Sequence, residues 1–437
     1  MNPLALELNK ELEETVAFRL LSSLGKRLYF PKGIIAQSGE AKKFAHKANA
    51  TIGMAYDSGR PLILSVIAEG MPTLSSVEAV TYAPTAGVEK ARQLWKDAIA
   101  AKNPSLDPAV ISLPVVVPGL TAGISYVADL FLDEGDAIIV SDPCWDNYSL
   151  IFSERRGADV IEAPFFASGS GLNIDGIQQT VRKAAATGAV RLILNFPNNP
   201  SGYSPTRKEA DALIDLLKEV ADQGADVLVI CDDAYFGLFY EPEVYNESLF
   251  ARLATAHERI LAVKIDGPTK EDYVWGLRMG FVTFGSAGLQ EHHYEALIKK
   301  LMGTIRSSVS CSNTPAQHLM IKTIEDPRTE GEKNRYREIL QKRYEMVKGL
   351  VAAHKGHPVL EALPFNSGYF MSFRCKGIDP EQLRQKLLKE HGIGTIALTS
   401  SSGNQYLRVA FSSVEAEHLN LVYKTIFAVA SELASRV

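Results

Sequence analysis

The segment Asp226–Tyr240 reads DVLVICDDAYFGLFY: a short apolar run, two adjacent carboxylates, then Ala234 and Tyr235. An apolar run without polar alternation predicts a strand buried on both faces, as in a parallel sheet. Carboxylates at the tip of such a strand are costly unless they are exposed or answered by a cation. The same texture continues on both sides. Val115–Val117, Ala137–Val140, Val160–Pro164, Val190–Asn195, Ile260–Ile265 and Gly280–Thr283 read as further strands. Ile124–Leu132, Ile177–Ala186, Arg207–Ala221 and Leu289–Gly303 read as helices between them. This alternation predicts an α/β architecture with a mostly parallel sheet, whose ligands bind beyond the carboxyl ends of the strands.

A chain of 437 residues exceeds the ~250–300 at which one core stops growing, so more than one domain is expected. Lys and Arg number 46 against 51 Asp and Glu, a net charge of −5. That balance offers no electrostatic footprint for nucleic acid or an anionic membrane. Cys144, Cys231, Cys311 and Cys375 are scattered and form no C-x-x-C pair. They predict reduced thiols in a cytoplasmic enzyme, not a disulfide framework or a zinc site. Glu7, Glu11, Glu13 and Glu14 precede any long apolar run, which does not read as a signal peptide. Pro108–Ala128 carries no charged side chain, but Pro114, Pro118, Gly119 and Gly123 divide it into strand, turn and helix start. It is not expected to span a membrane.

Beyond Asp326 the texture changes. A charged helical stretch, Arg328–His354, precedes strand-like Pro358–Phe373 and a helix Pro380–His391. Strands at Gly394–Thr399 and Gln405–Phe411 and a helix Val414–Leu433 follow. We expect an arm over residues 1–60, a large domain over 61–325 and a smaller α+β domain over 326–437, which the arm joins. The charged helix reads as a solvated face. No solenoid-like repeat or low-complexity linker is found.

Two more strand tips carry unusual residues. Leu192–Thr206 reads LILNFPNNPSGYSPT, where composition alone supports a rigid turn. Asn199 nevertheless offers an amide to a ligand oxygen, and Thr206 can cap the helix that follows. Ile260–Phe281 reads ILAVKIDGPTKEDYVWGLRMGF. In a cleft Lys270 can be an amine nucleophile toward carbonyls, and the planar fork of Arg278 suits a phosphate.

Together these segments resemble the class I/II aminotransferases of fold type I, which use pyridoxal 5′-phosphate (PLP). The family pattern N-P-x-G, D-x-A-Y and a lysine followed by G-x-R is met by Asn199–Gly202, Asp232–Tyr235 and Lys270 with Gly276–Arg278. Lys264 stands at the wrong offset from Arg278. The resemblance runs from about residue 45 to the C-terminus. Pro118–Asp136 is similar to the family's phosphate-binding turn and helix start, with Leu120, Thr121 and Ala122 at the matching positions. Trp145 in DPCWDNY matches the aromatic residue that lies on the pyridine ring. Tyr82 resembles the tyrosine that reaches the neighbouring subunit's phosphate. Gly53 matches the arm lining the substrate pocket, and Arg408 in YLRVAF matches the arginine for the substrate α-carboxylate.

The resemblance implies a large domain with a mixed, mostly parallel seven-stranded sheet, a smaller α+β domain, and a homodimer with shared active sites. It implies a PLP-dependent aminotransferase moving an amino group between an L-amino acid and a 2-oxo acid by a ping-pong Schiff-base mechanism. Lys270 would join the cofactor and shuttle a proton. Asp232 would keep the ring nitrogen protonated. Asn199 and Tyr235 would bond the ring's 3′-oxygen, with Arg278 and Thr269 near the phosphate. Many relatives carry Ser three residues before the lysine, where this chain has Gly267. Counting back from Asn313 to the position of a second, dicarboxylate-binding arginine reaches Ser308, with Arg306 two residues further away. The Asn199–Pro200 bond is expected to be cis, as in relatives. A β-lyase or a decarboxylase would use the same lysine, aspartate and arginine. A non-catalytic PLP-binding regulator is expected to carry an added helix-turn-helix domain, where this sequence has a short acidic arm. A nicotinamide dehydrogenase is disfavoured because no G-x-G-x-x-G follows the first strand.

Overall fold

The uninterrupted apolar runs become strands buried on both faces. A computed structural model describes residues 1–13, 21, 26–27, 33–166 and 171–435, leaving Glu14 of the acidic arm outside the described residues. The strands are β1 (Val115–Val117), β2 (Ala137–Ser141), β3 (Asp159–Ala163), β4 (Ala189–Asn195), β5 (Asp226–Asp232), β6 (Ile260–Asp266) and β7 (Gly280–Gly285). They form one seven-stranded sheet in the order β1-β7-β6-β5-β4-β2-β3. Strands β2 to β6 pair in parallel, and β7 runs antiparallel to both β6 and β1. The expected mixed sheet is therefore observed. Register places Asn195 opposite Asp232, and Asp232 opposite Ile265, so neighbouring carboxyl ends finish level.

Helices cover the sheet where the sequence supplies their start signals. The helix Arg207–Asp222 begins with a capping box, in which Thr206 and Glu209 satisfy each other's backbone N–H. The helix Leu120–Phe131 starts directly after Gly119, whose φ of 94° is a left-handed value suited to glycine. It begins four residues before the expected Ile124 because that turn is completed inside the apolar run. No helix of the described residues is long and apolar enough to cross a membrane.

A second sheet comprises β8 (Leu360–Ala362), β9 (Phe370–Cys375), β10 (Ile396–Thr399) and β11 (Gln405–Ala410), antiparallel in the order β8-β9-β11-β10. The continuous strand expected over Pro358–Phe373 is thus two strands. Asn366, Ser367 and Gly368 leave the ladder between them to bond Gly202, Ser204 and Leu238. The N-terminal arm joins this second sheet. Ala48–Asn49 pairs in parallel with Ile393–Gly394, and Gln37 of the helix Ile34–Phe44 bonds both backbone groups of Ala397.

The helix Thr329–Ala352 has the expected solvated charged face and, opposite it, a buried one. It buries Lys333, Leu340, Arg343, Tyr344 and Val347. Two of its charges, Lys333 and Arg343, are buried and each meets a partner, whereas Glu330, Arg335, Glu338, Lys342, Glu345 and Lys348 are exposed. Arg343 bonds Asp57 and Glu415 at 3.2 and 2.9 Å, and Lys333 meets Asp272 at 2.8 Å.

Candidate active site

Strand register and two turns bring the residues singled out above around one cleft of about 150 Å³. Leu120, Thr121, Ile124, Trp145, Asn195, Asn199, Asp232, Ala234, Tyr235, Lys270 and Arg278 line it. Larger cavities exist; one of about 540 Å³ lies at the amino ends of β4 and β5. Its arginines are already paired, Arg191 with Asp136 at 3.0 Å and Arg259 with Asp226 at 2.7 Å. The small cleft differs in chemistry.

At its floor Asp232 ends β5, 4% exposed. The hydroxyl of Tyr148 donates to Oδ2 at 2.6 Å, and the side-chain amide of Asn195 donates to the Asp232 carbonyl at 2.8 Å. Oδ1 has no partner in hydrogen-bond geometry among the described residues. Burial pushes the carboxyl up to about 6, against the opposing influence of the Tyr148 bond and the charge of Lys270. A buried carboxylate oxygen without a partner is costly, and a cationic N–H entering the cleft would relieve that cost.

Lys270 follows β6 on the short turn Pro268–Glu271. Its Nζ lies 5.0 Å from the centre of the Tyr235 ring. Burial, offset in part by Asp232 and reinforced by Arg278, lowers its amine to about 8. An amine so poised is neutral in roughly a tenth to a fifth of molecules near physiological pH, far more than an ordinary lysine, and the neutral form is nucleophilic. Lys264, the other lysine of this segment, is buried in an ion cluster. It pairs with Asp233 and, at 3.4 Å, with Asp266.

The opposite end of the cleft is built for an anion. The amino end of the helix Leu120–Phe131 opens there without a side-chain cap, so its first N–H groups and dipole favour negative charge. Arg278 turns toward it with φ 50°, and a Cβ on Gly119 would lie 2.6 Å from Arg278 Nη2. Glycine at 119 therefore makes room for the guanidinium. Gly267, where many relatives have Ser, is also explained. A Cβ there would stand 2.8 Å from the Gly280 Cα, so the backbone of β7 occupies the side-chain space.

Arg408 on β11, outside this lining, meets the cleft from the second sheet through Asn199. Its Nη1 donates to Asn199 Oδ1 at 2.9 Å, its Nη2 to the Thr51 carbonyl at 3.2 Å, and it lies over the Phe370 ring. Gly53 is close by: a Cβ there would touch Phe370 and the Tyr235 hydroxyl. The backbone N–H of Asn199 donates to Asn195 Oδ1 at 2.8 Å. The Asn199–Pro200 bond is cis, as are Asp142–Pro143 and Phe196–Pro197. Gly202, φ 77°, packs so tightly on β9 that a Cβ would lie 1.8 Å from the Phe370 carbonyl oxygen.

Other expected residues lie outside this lining. Ala122 packs on the core beside the first turn of its helix. Thr269 is buried and spends its hydroxyl on the Met279 carbonyl at 3.1 Å. Tyr82 is 91% exposed, and Arg306 is exposed at the end of the helix Glu291–Arg306. Tyr148 and Asn195 were not singled out from the sequence. The signal for Tyr148 was a hydroxyl-bearing ring three residues after Trp145, in a segment whose burial obliges that hydroxyl to find a partner.

The chain is similar to known proteins. The family described as Aminotransferase class I and II matches residues 52–426. An aspartate aminotransferase of Sulfurisphaera tokodaii is 22% identical over 76% of this chain and 78% of its own length. An arginine–pyruvate transaminase of Pseudomonas aeruginosa is 26% identical over 65% of each chain. The crystal structure of an aminotransferase from Anaerococcus prevotii superposes with a TM-score of 0.80 at 23% identity, covering 92% of this chain and 98% of the other. With most of its length matched by the family, the chain belongs to the class I and II aminotransferases, enzymes that move an amino group between an amino acid and an oxo acid.

Proposed function

We propose that the cleft binds pyridoxal 5′-phosphate and that the enzyme uses it to transfer the amino group of an L-amino acid to a 2-oxo acid. The observation that carries this reading is the unpartnered Oδ1 of buried Asp232, facing a cleft whose far end is an uncapped helix terminus beside Arg278. Such a site fits a planar ligand with a cationic ring nitrogen at one end and a phosphate at the other. When bound, the cofactor supplies an aldehyde that condenses with amines and a ring that accepts electrons from the substrate's Cα.

The protein's own residues do the remainder. Asp232, held ionised by Tyr148, keeps a proton on the ring nitrogen. Trp145 bounds one face of the cleft. Arg278, Leu120 and Thr121 hold the phosphate, with Thr269 fixing the turn beside them. Lys270 would hold the aldehyde through its amine and, when free, would carry the proton to and from the substrate Cα as general base and acid. Tyr235 and Asn199 bond the ring's oxygen. Arg408, desolvated on Phe370 and flanked by Asn199, binds the substrate α-carboxylate, while the arm around Gly53 closes the pocket.

We further propose a homodimer. Met71, Val77, Val80 and Tyr82 are exposed on one short stretch of chain, and exposed large apolar side chains suit an interface. A second subunit would cover them, with Tyr82 serving the partner's phosphate. The division into arm 1–60, large domain 61–325 and small domain 326–437 is supported by the pairing of the arm with the second sheet. Four cysteines without disulfides suit a cytoplasmic location.

The test is a panel of amino acids given singly to the purified protein, read by the change in cofactor absorbance and by product analysis. Transamination gives a 2-oxo acid in one half-reaction, and turnover requires an acceptor oxo acid. Free ammonia or carbon dioxide without an acceptor would identify a lyase or decarboxylase instead. No spectral response to any amino acid would leave only a binding role.

A further inference from the structure

Two carboxylates directly follow Lys270, and neither serves the cleft. Glu271 and Asp272 are buried on the turn that carries the lysine, with side chains 13% and 6% exposed. Lys102 Nζ lies 2.5 Å from Glu271 Oε1, Lys333 Nζ lies 3.2 Å from the same oxygen, and Lys333 lies 2.8 Å from Asp272 Oδ1. Lys333 is itself 7% exposed and comes from the long helix Thr329–Ala352. One turn along the same helix, the Tyr336 ring meets the Tyr273 ring edge-on at 5.2 Å, and its hydroxyl donates to the Ile63 carbonyl.

The segment so gripped is strained. Tyr273 has φ 58° and Arg278 has φ 50°, left-handed values that bulky L-residues rarely adopt. Such residues persist only where surrounding structure holds them. Lys270 and Arg278, the amine and the guanidinium of the cleft, sit at the two ends of this segment.

We propose that Lys333 is a positioning residue for Lys270 and Arg278: by neutralising Glu271 and Asp272 from the long helix, with Tyr336 braced on Tyr273, it holds the strained segment aimed into the cleft. Without Lys333, Asp272 is a buried carboxylate with no cation beside it among the described residues, and such a charge is drawn toward water. That movement loosens the turn. The inference rests on the proposed cofactor reading. The charged groups involved are Asp232 and Arg278 around Lys270, Lys102 and Lys333 around Glu271, Lys333 beside Asp272, Glu330 beside Lys333, and Arg337 near Tyr273.

The test compares Lys333→Met, Lys333→Arg and Asp272→Asn as holoenzymes, by pH titration of the cofactor's visible absorbance and by steady-state kinetics. Lys333→Met should lower kcat by tenfold or more, on the order of one lost charge-paired contact, with KM for the amino acid nearly unchanged. Its absorbance pKa should rise by about one unit, because an uncompensated negative charge favours the protonated form. Lys333→Arg should recover most of both. Asp272→Asn, isosteric and gentler on folding, should move the absorbance pKa downward. If Lys333→Met or Asp272→Asn loses thermal stability but keeps the wild-type kcat and absorbance pKa, the role is structural and the inference is overturned. A wild-type protein with no cofactor band would remove the cofactor reading first and this inference with it.

Discussion

Lys264 is fully buried and Lys270 largely so; they stand six residues apart on one stretch of chain, yet they have opposite chemistry. Lys264 meets two carboxylates, Asp233 and Asp266, and lies 4.7 Å from the centre of the Phe236 ring. Asp233 also accepts the Ser248 hydroxyl at 2.6 Å, and Asp266 accepts the Trp95 indole N–H at 2.9 Å. Burial alone would lower the proton affinity of Lys264, but these carboxylates raise it above the usual lysine range. Lys270 faces Asp232 with Arg278 nearby, and its amine falls to about 8. Burial is common to both. The number of carboxylates facing each amine separates a structural ammonium from a reactive amine.

The adjacent Asp232 and Asp233 repeat the contrast. Asp233 points to the ion cluster and is saturated; Asp232 points to the cleft with one oxygen unpartnered. Alternation along a strand sends neighbours to opposite faces, so one pair of carboxylates serves both stability and function.

Exchanging the two lysines' roles is the sharpest way to break this comparison. Lys270→Ala should reduce transamination by on the order of 10²–10⁴-fold or more, since both nucleophile and general base are lost. It should leave the thermal midpoint near wild type. Retention of the absorbance band of lysine-bound cofactor in this variant would reject the assignment. Lys264→Met should do the reverse. Removing one partner of a buried ion cluster costs about 3–5 kcal/mol, read by urea unfolding, while the folded fraction keeps its activity.

A pH series on cofactor-free protein sharpens the contrast. The folded state holds the Lys270 amine near 8 against 10.5 in its unperturbed state. The contribution of this group to stability is therefore present above pH 10.5 and lost as pH falls toward 8. Unfolding free energy should rise across that window by at most about 3 kcal/mol from this group. Lys270→Met should lack that rise and Lys264→Met should retain it.

Tyr148→Phe is the mildest change. It removes the only side-chain hydroxyl on Asp232 among the described residues, so the carboxylate becomes easier to protonate. A hydrogen bond to a charged group is worth about 1.5–3 kcal/mol, so cofactor affinity should weaken by roughly tenfold to a hundredfold. An unchanged dissociation constant would show that Asp232 holds its ligand without help.

Much of the site could be read before any coordinates existed, because it sits where periodic elements end. Asn199, Asp232 and Lys270 each stand just beyond an apolar run, and a parallel sheet gathers such ends on one edge. Gly119 and Arg278 were legible as a turn and a cation, though not as one unit in which the missing Cβ admits the guanidinium. The least legible residues act across the fold. Tyr148 finds Asp232 over 84 positions of sequence, and Lys333 finds Glu271 over 62. No spacing rule connects such pairs. Lys333 and Arg343 on the charged helix were hidden for the same reason: from sequence, a cation with a buried partner and one in solvent look alike.

The sequence by itself determined the alternation of strands and helices, the capping at Thr206, and the turns that end β4, β5 and β6, since these depend on neighbours within a few residues. It thereby determined which residues would lie along one edge of a sheet. Only the tertiary structure decided which lysine is compensated and which remains reactive, which oxygen of Asp232 is left open, and which helix grips the lysine-bearing turn. Those outcomes depend on register, burial and the meeting of charges distant in sequence, which arise only when the chain has packed.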